Sequence, residues 1–467
     1  MTEKSFSNEN IQTKGVKTLL GDPKKAIIKL AIPMVIAMSV QTIYNFSDAF
    51  WVSLLGKNPL AAVGFVLPFF MMAIAISTGI GVGSSSAVSR KIGAEDKEGA
   101  DNVADHSIML VMLFGVIFTL FLFFGAESIL QIMGVGSSFD LAITYGRIIF
   151  AGSIIIFFVN MATALLRGEG DVKKAMYAII AGSVLNIVLD PIFIFVFGLG
   201  IAGAAYATVF SMGISALLLA YWLFFRKNTY VTFNLKHFKF KRNILSDIFK
   251  VGLPASVQQL TMSIMMIIMN FIIVNVALAG DSGVAIYSTG WRIVSIAILP
   301  LLGLATAVTS VTGAAYGAKA YKKLNESFTY SLKFGLIIES LLAVLIFLIA
   351  PFITLLFTTG EGSEAIASGL EIFIKISVLF YPGAAFGIAS SAMFQGTGKG
   401  NYALVATIFR TVFLIPSMAI FFCCFFSIGL DGVWWGLVVA NLIGSFVSFT
   451  WAKIYINKLF KSNGITV

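Results

Sequence analysis

The sequence predicts an all-α polytopic membrane protein: twelve transmembrane helices in two pseudo-symmetric six-helix bundles. Three observations carry that prediction. The 467 residues are 58% hydrophobic and only 12% charged, with a mean hydropathy of +0.94. A soluble chain carries about 25% charged residues and could not bury this much apolar surface. Apolar runs long enough to span a bilayer, roughly 20 residues each, recur twelve times. The second half then repeats the motifs of the first at an offset of 221 to 229 positions.

In order, the runs cover 26–53, 61–89, 104–125, 141–166, 174–197, 201–224, 247–278, 284–313, 326–350, 368–394, 402–426 and 430–456. The polar, basic stretch Met1–Lys25 precedes a run too long for a signal-peptide core, so the first helix is expected to be retained. Lys and Arg cluster before run one (Lys24, Lys25, Lys29) and between runs two and three (Arg90, Lys91, Lys97). They recur between four and five, six and seven, and eight and nine, and after twelve. The longest loop, 225–246, holds Arg226, Lys227, Lys236, Lys239, Lys241 and Arg242. The opposite loops hold Lys57 beside Glu127, Asp140, Asp281, Glu361, Glu364 and Asp431. By the positive-inside rule both termini are cytoplasmic. The net charge of +10 is thereby explained as a topology signal, and no nucleic-acid partner is expected.

The repeat fixes the domain organisation. KAIIKLAIP at Lys25–Pro33 returns as DIFKVGLP at Asp247–Pro254, and LRGEGD at Leu166–Asp171 returns as FQGTGK at Phe394–Lys399. The expected units are a first lobe, 1–225, a basic linker, 226–246, and a second lobe, 247–467. Six spans per half is an even number, so the halves share one orientation.

Four polar positions break the repeat. Asp48 corresponds to Met269, Asn186 to Leu414, Asp190 to Met418 and Thr208 to Leu437. Carboxylates inside spanning helices are expensive and mark functional sites by default. If the fold alone required them, the second half would keep them. Asp48 lies about 33 Å up run one, Asp190 about 24 Å up run five, and Thr208 about 10 Å down run six, which places all three in the outer half of the bilayer. Asn186 and Asp190 share one face at i, i+4, as do Gln41, Tyr44 and Asp48 at spacings of three and four. Two carboxylates with Asn and Thr oxygens form a hard-oxygen set suited to Na⁺ or to a shared proton. No cofactor is expected beyond that coupling ion.

Other motifs have plainer readings. Arg147 aligns with Lys375, so a basic residue kept in both halves is architectural, a salt bridge or a snorkelling head. The run GIGVGSSSA at Gly79–Ala87 is a close-packing helix face. QGTGKGN at Gln395–Asn401 lacks the Ser or Thr of a Walker A motif, which leaves an ion gradient as the energy source. Cys423 and Cys424 are packing residues, and His106 and His237 show no metal-ligand spacing. Pro33 and Pro254 interrupt the first helix of each half; each is at least a kink, or a hinge that moves on cation binding. Arg292, Glu339 and Arg410 in the second half either pair with one another or line a pathway, and pairing is the preferred reading.

The early IP…QTIYNFSDAFWVS, the GVGSSSAVSRKIGA stretch, LRGEGD and NIVLDPIFIF together resemble the multidrug and toxic compound extrusion (MATE) family over about Leu19–Lys458. The likeness is to its archaeal type, in the branch related to DNA-damage-inducible transporters. That resemblance implies a V-shaped pair of bundles in the plasma membrane, working as a monomer among membrane lipid, that exports organic cations or drugs in exchange for H⁺ or Na⁺. It implies that Asp48, Asn186, Asp190 and Thr208 form a first-lobe cation site. Gln41, Tyr44, Tyr145 and Asn160 match positions lining the cavity; Thr163 stands where a close relative would carry Asn. The alternative is a flippase or exporter of a lipid or lipid-linked saccharide, which would be expected to place several cations in the cavity. An enzyme is not expected, because no nucleophile–base set or metal cluster is found.

Overall fold

A computed structural model describes residues 13–226, 228–233, 238, 240–357 and 364–464. Lys227, Lys236, His237, Lys239 and Glu361 lie outside the described residues. Among those described there are helices and connecting turns and no strands.

Helix α1 (Lys14–Leu20) is short, is started by the Thr13 hydroxyl accepting from Val16 N, and buries Val16 and Leu19. Sequence reading did not foresee it. Helix α2 (Pro23–Ser53) starts where the Asp22 carboxylate accepts from the Lys24 and Lys25 amides at 2.9 Å, with Pro23 in the first turn. It runs unbroken through Pro33. Helices α3 (Lys57–Gly93) and α4 (Lys97–Ile132) follow as single spans. The fourth span is broken: α5 (Phe139–Ala151) and α6 (Ser153–Gly168) meet at Gly152 with a 42° bend. Gly152 lies against Val209, and a Cβ there would fall 2.6 Å from a Val209 methyl. The fifth span, α7 (Val172–Pro191), ends in a wider turn over Ile192–Val196, where Phe197 N donates to Ile192 O. Pro191 has no N–H to give the regular ladder, so the helix accommodates it by widening. Helix α8 (Gly200–Ala220) closes the first half.

The second half repeats the plan: α9 (Arg242–Asn275), α10 (Gly280–Ala297) with α11 (Leu299–Gly317), α12 (Tyr321–Phe357), α13 (Glu364–Ser377) with α14 (Tyr381–Gly396), α15 (Gly400–Ile408) with α16 (Ile415–Phe425), and α17 (Gly429–Ser462). Eleven of these segments are long and apolar enough to cross a membrane, and the bent α5–α6 pair makes a twelfth. All twelve predicted runs are therefore present. The eighth differs in form, because it breaks at Ile298 ahead of Pro300, so its long crossing helix is α11 alone.

The halves meet at the end that carries the basic loops. There the small-residue face of α3 does what its composition predicts. Gly83 sits where a Cβ would fall 2.3 Å from Ile248 O, and at Gly93 it would fall 1.9 Å from Ala314 O. Arg90 and Ser86 both donate across the seam to Gly396 O, at 3.4 and 3.2 Å. Helix α1 adds a strap on the same side: Lys323 Nζ donates to Leu20 O, and Lys24 pairs with Glu326 at 3.3 Å.

Candidate cation site and cavity

The site is built where the C-terminal half of α2 faces the end of α7 and the start of α8. Asp190 is completely buried, and Asn186, one turn earlier on the same face, is 2% exposed. The Asn186 amide donates to the Thr208 hydroxyl at 3.4 Å, which ties α7 to α8. Asp48 comes from α2 and is a near neighbour of Asp190. Both oxygens of Asp190, one of Asp48 and the carbonyl oxygen of Asn186 are buried without a hydrogen-bond partner in the protein. Unsatisfied buried acceptors of this kind are costly. Grouped together they form a pocket with more acceptors than donors, the arrangement that a proton or a small cation completes.

The predicted cavity residues fall in three places. Tyr44 lies within electrostatic reach of Asp48, Asp190 and Thr208, and buried Tyr145 within reach of Asp48, Tyr44 and Asp190. Both belong to the same cluster. Gln41 is exposed on α2. Asn160 and Thr163 stand apart. The Asn160 amide donates to Ser77 on α3 at 3.0 Å. The Thr163 hydroxyl turns back on its own helix, to Val159 O at 2.8 Å and Asn160 O at 3.0 Å, and the residue is 3% exposed. The aromatic wall includes Trp51, edge-on to Phe195 at 6.1 Å.

The comparisons with known proteins identify the family. The family model MatE matches residues 33–192 and 254–420. The chain belongs to the MATE family of multidrug efflux transporters. The multidrug export protein MepA of Staphylococcus saprophyticus is 27% identical over 430 residues, 90% of this chain and 91% of that protein. A solved structure described as the outward-facing conformation of a multidrug resistance MATE family transporter superposes with a TM-score of 0.93 at 47% identity, over 96% of this chain and 99% of that one. A Pyrococcus furiosus transporter gives a TM-score of 0.92 at 47% identity, with 96% and 99% coverage; its description holds that a reversed polarity of the binding pocket suggests a different function.

Among the described residues of this MATE transporter, the second half has no counterpart of the oxygen cluster. Met269, at the place of Asp48, is fully buried, and Leu437, at the place of Thr208, is 1% exposed. Tyr287 stacks on Trp434 at 6.0 Å and donates its hydroxyl to Met265 Sδ at 3.2 Å. Phe373 stands edge-on to Trp434 at 4.8 Å. The interior there is a packed aromatic plug. Arg147 pairs with Glu127 at 3.3 Å, and Lys375 with Glu371 at 2.6 Å, both partly exposed. The symmetric basic residues are thus tied to acids on the flank.

The expected pairing among Arg292, Glu339 and Arg410 is not formed. Glu339 is fully buried with both carboxyl oxygens unpartnered. Arg410 is held instead against Gly387 and Gly444, whose missing side chains leave it room, so its guanidinium is committed to the α14–α17 seam.

Sequence reading also missed Glu169, which LRGEGD presents as an ordinary loop acid. It is completely buried, and its Oε2 accepts from Tyr230 N at 2.8 Å and Val231 N at 3.0 Å, while Oε1 has no partner. Burial pushes this loop carboxyl up to about 8. The partner lies some sixty positions downstream as a backbone strip, which no local motif reveals.

Proposed function

We propose that the protein is a secondary antiporter of the plasma membrane that exports bulky organic cations or drugs while H⁺ or Na⁺ enters, by alternating access. Asp48, Asp190, Asn186 and Thr208 hold the coupling ion. Tyr44 and Tyr145 line the adjoining cavity, and Gln41, Asn160 and Thr163 support it. Both termini are cytoplasmic, so the basic end with its linker faces the cell interior. The 47% identity to a Pyrococcus furiosus protein supports the archaeal branch.

One observation carries the reading: among the described residues, two neighbouring acids with buried carboxyl oxygens, Asp48 and Asp190, occur together in the first half and not in the second. The second half shows that the fold does not need them. Two neighbouring carboxylates repel when both are ionised, and they can share a hydrogen bond only if one holds a proton; a bound cation relieves the same repulsion. A lipid-linked substrate would instead call for free cations in the cavity, and Arg147 is already engaged by Glu127.

The test is drug transport in sealed vesicles carrying a pH gradient or a Na⁺ gradient, imposed separately. Accumulation driven by at least one gradient and collapsed by the matching ionophore supports antiport. Transport that neither gradient drives overturns it.

A further inference from the structure

A second polar groove lies at the basic end, away from the carboxylates. It encloses about 1050 Å³ between α1, the first turns of α2, the loop leading into α7, and the linker strip at 228–232. Five lysines from four separate stretches of chain line it: Lys14, Lys29, Lys97, Lys173 and Lys174. Two are already neutralised. Lys174 pairs with Asp171 at 2.6 Å, and Lys97 with Asp101. Lys14, Lys29 and Lys173 are exposed and make no ion pair or side-chain hydrogen bond among the described residues. Three uncompensated ammonium groups from different elements thus converge on one concavity.

The floor of the groove has the opposite character. Ile28, Ile32, Pro33 and Val172 line it. Ile32 is 49% exposed, and Ile36, one turn further along α2, is 46% exposed, so the apolar floor continues as a strip on the outside of the helix. A free phosphate needs neither this volume nor this strip. An amphiphile with an anionic head and a hydrocarbon tail uses both.

We propose that this groove is a specific site for one anionic phospholipid. Lys14, Lys29 and Lys173 clasp its phosphate, and an acyl chain lies over Ile28, Ile32 and Ile36. On the orientation proposed above, the lipid comes from the inner leaflet. Its headgroup would bridge α1, α2 and the Glu169 loop, three elements that otherwise touch through backbone: a Cβ on Gly15 of α1 would meet Gly170 and Asp171 main-chain atoms at 2.8 Å. The lipid would therefore brace the strap that joins the two halves.

The experiment reads binding directly and does not depend on transport. The full chain, purified in a mild detergent, is titrated with phosphatidylglycerol or phosphatidylcholine, and adducts are counted by native mass spectrometry. The variants are a groove triple, Lys14→Gln, Lys29→Gln and Lys173→Gln, and a control triple at the same end, Lys322→Gln, Lys458→Gln and Lys461→Gln. All six side chains are on the surface, and a thermal melt confirms that both variants fold. The expected result is that one phosphatidylglycerol binds the wild type and the control at least tenfold more tightly than phosphatidylcholine, and that the groove triple loses this preference. Inorganic phosphate at 10 mM should not displace it, because it has no acyl chain to lie over the isoleucine strip. Equal phosphatidylglycerol binding by the groove triple overturns the proposal. Displacement by inorganic phosphate overturns it too, because the site would then be a free-anion site.

Discussion

Glu169 gives the most quantitative test of how the linker strip docks. Its carboxyl is fully buried beneath the linker strip, with Asp171 and Lys174 as its charged neighbours. Burial raises it from 4.5 to about 8, so the neutral form is favoured while the strip is docked. The docked state holds the proton over a window in which the released state does not. Docking is therefore fully supported below about 4.5, weakens as pH rises, and loses the contribution above about 8. Each pH unit in that window is worth about 1.4 kcal/mol, so the whole effect is at most roughly 5 kcal/mol. The perturbation is Glu169→Gln. It keeps an oxygen to accept from Tyr230 N and Val231 N but cannot ionise. The assay is the mobility of a nitroxide on Asn228→Cys, with Cys423 and Cys424 replaced by Ala, followed from pH 5 to 9.5. The wild type should change from immobile to mobile with a midpoint between about 4.5 and about 8 and no further change above that, and Glu169→Gln should stay immobile throughout. A wild type that is flat across the range, or a Glu169→Gln variant with the same midpoint, refutes the reasoning.

Three further outcomes follow from the site. Asp48→Asn and Asp190→Asn should each abolish ion-driven drug accumulation in vesicles, with membrane levels on immunoblots unchanged; full transport by either variant removes that residue from the site. Met269→Ala should lower thermal stability by about 2–5 kcal/mol, because it opens a cavity at a fully buried position. Met418→Ala, at a half-buried position, should cost less, and both should keep coupled transport in whatever protein folds. Spin labels on Leu54→Cys at the end of α2 and Asn275→Cys at the end of α9 should change separation with pH or Na⁺. That response should vanish in the Asp48→Asn, Asp190→Asn double variant, as measured by pulsed dipolar spectroscopy.

The spans were legible because composition and length decide them. Helices in hydrocarbon must satisfy their own backbone, so an apolar run of sufficient length has one solution. The repeat was legible because the loop motifs LRGEGD and FQGTGK keep their glycines at tight turns, where Gly170 and Gly398 take positive φ of 83° and 77°. Breaks inside spans were not legible. Gly152 reads as one more small residue in an apolar run, and only its contact with Val209 on α8 makes it a bend. The juxtaposition of Asn186 and Thr208 could be anticipated from depth and broken symmetry, because polar groups in a membrane seek one another. Thr163 differs from the Asn of a close relative in what its side chain can reach. A shorter side chain with one hydroxyl finds its acceptors on its own helix, at Val159 and Asn160.

On the proposed function, a small ion must produce a large displacement, and α2 is built to convert one into the other. Its outer half carries Asp48, and its inner half is fixed by α1, the Asp22 cap and the Lys24–Glu326 pair. Between them stands Pro33, which removes one backbone hydrogen bond and leaves the helix softest at that level. Asp48 is about 22 Å beyond it, so a bend of about 10° moves the carboxyl by about 4 Å, enough to separate it from Asp190 or to bring the two together. The ion supplies the bias only through its different affinity for the near and separated arrangements. Helix α9 has the same proline at Pro254, but Met269 stands where the carboxylate would be, fully buried one turn beyond Met265, which accepts from Tyr287. Bending α9 would break that packing and gain nothing from an ion. The broken symmetry therefore divides the labour: one half senses the ion, and the other is the fixed surface against which it moves.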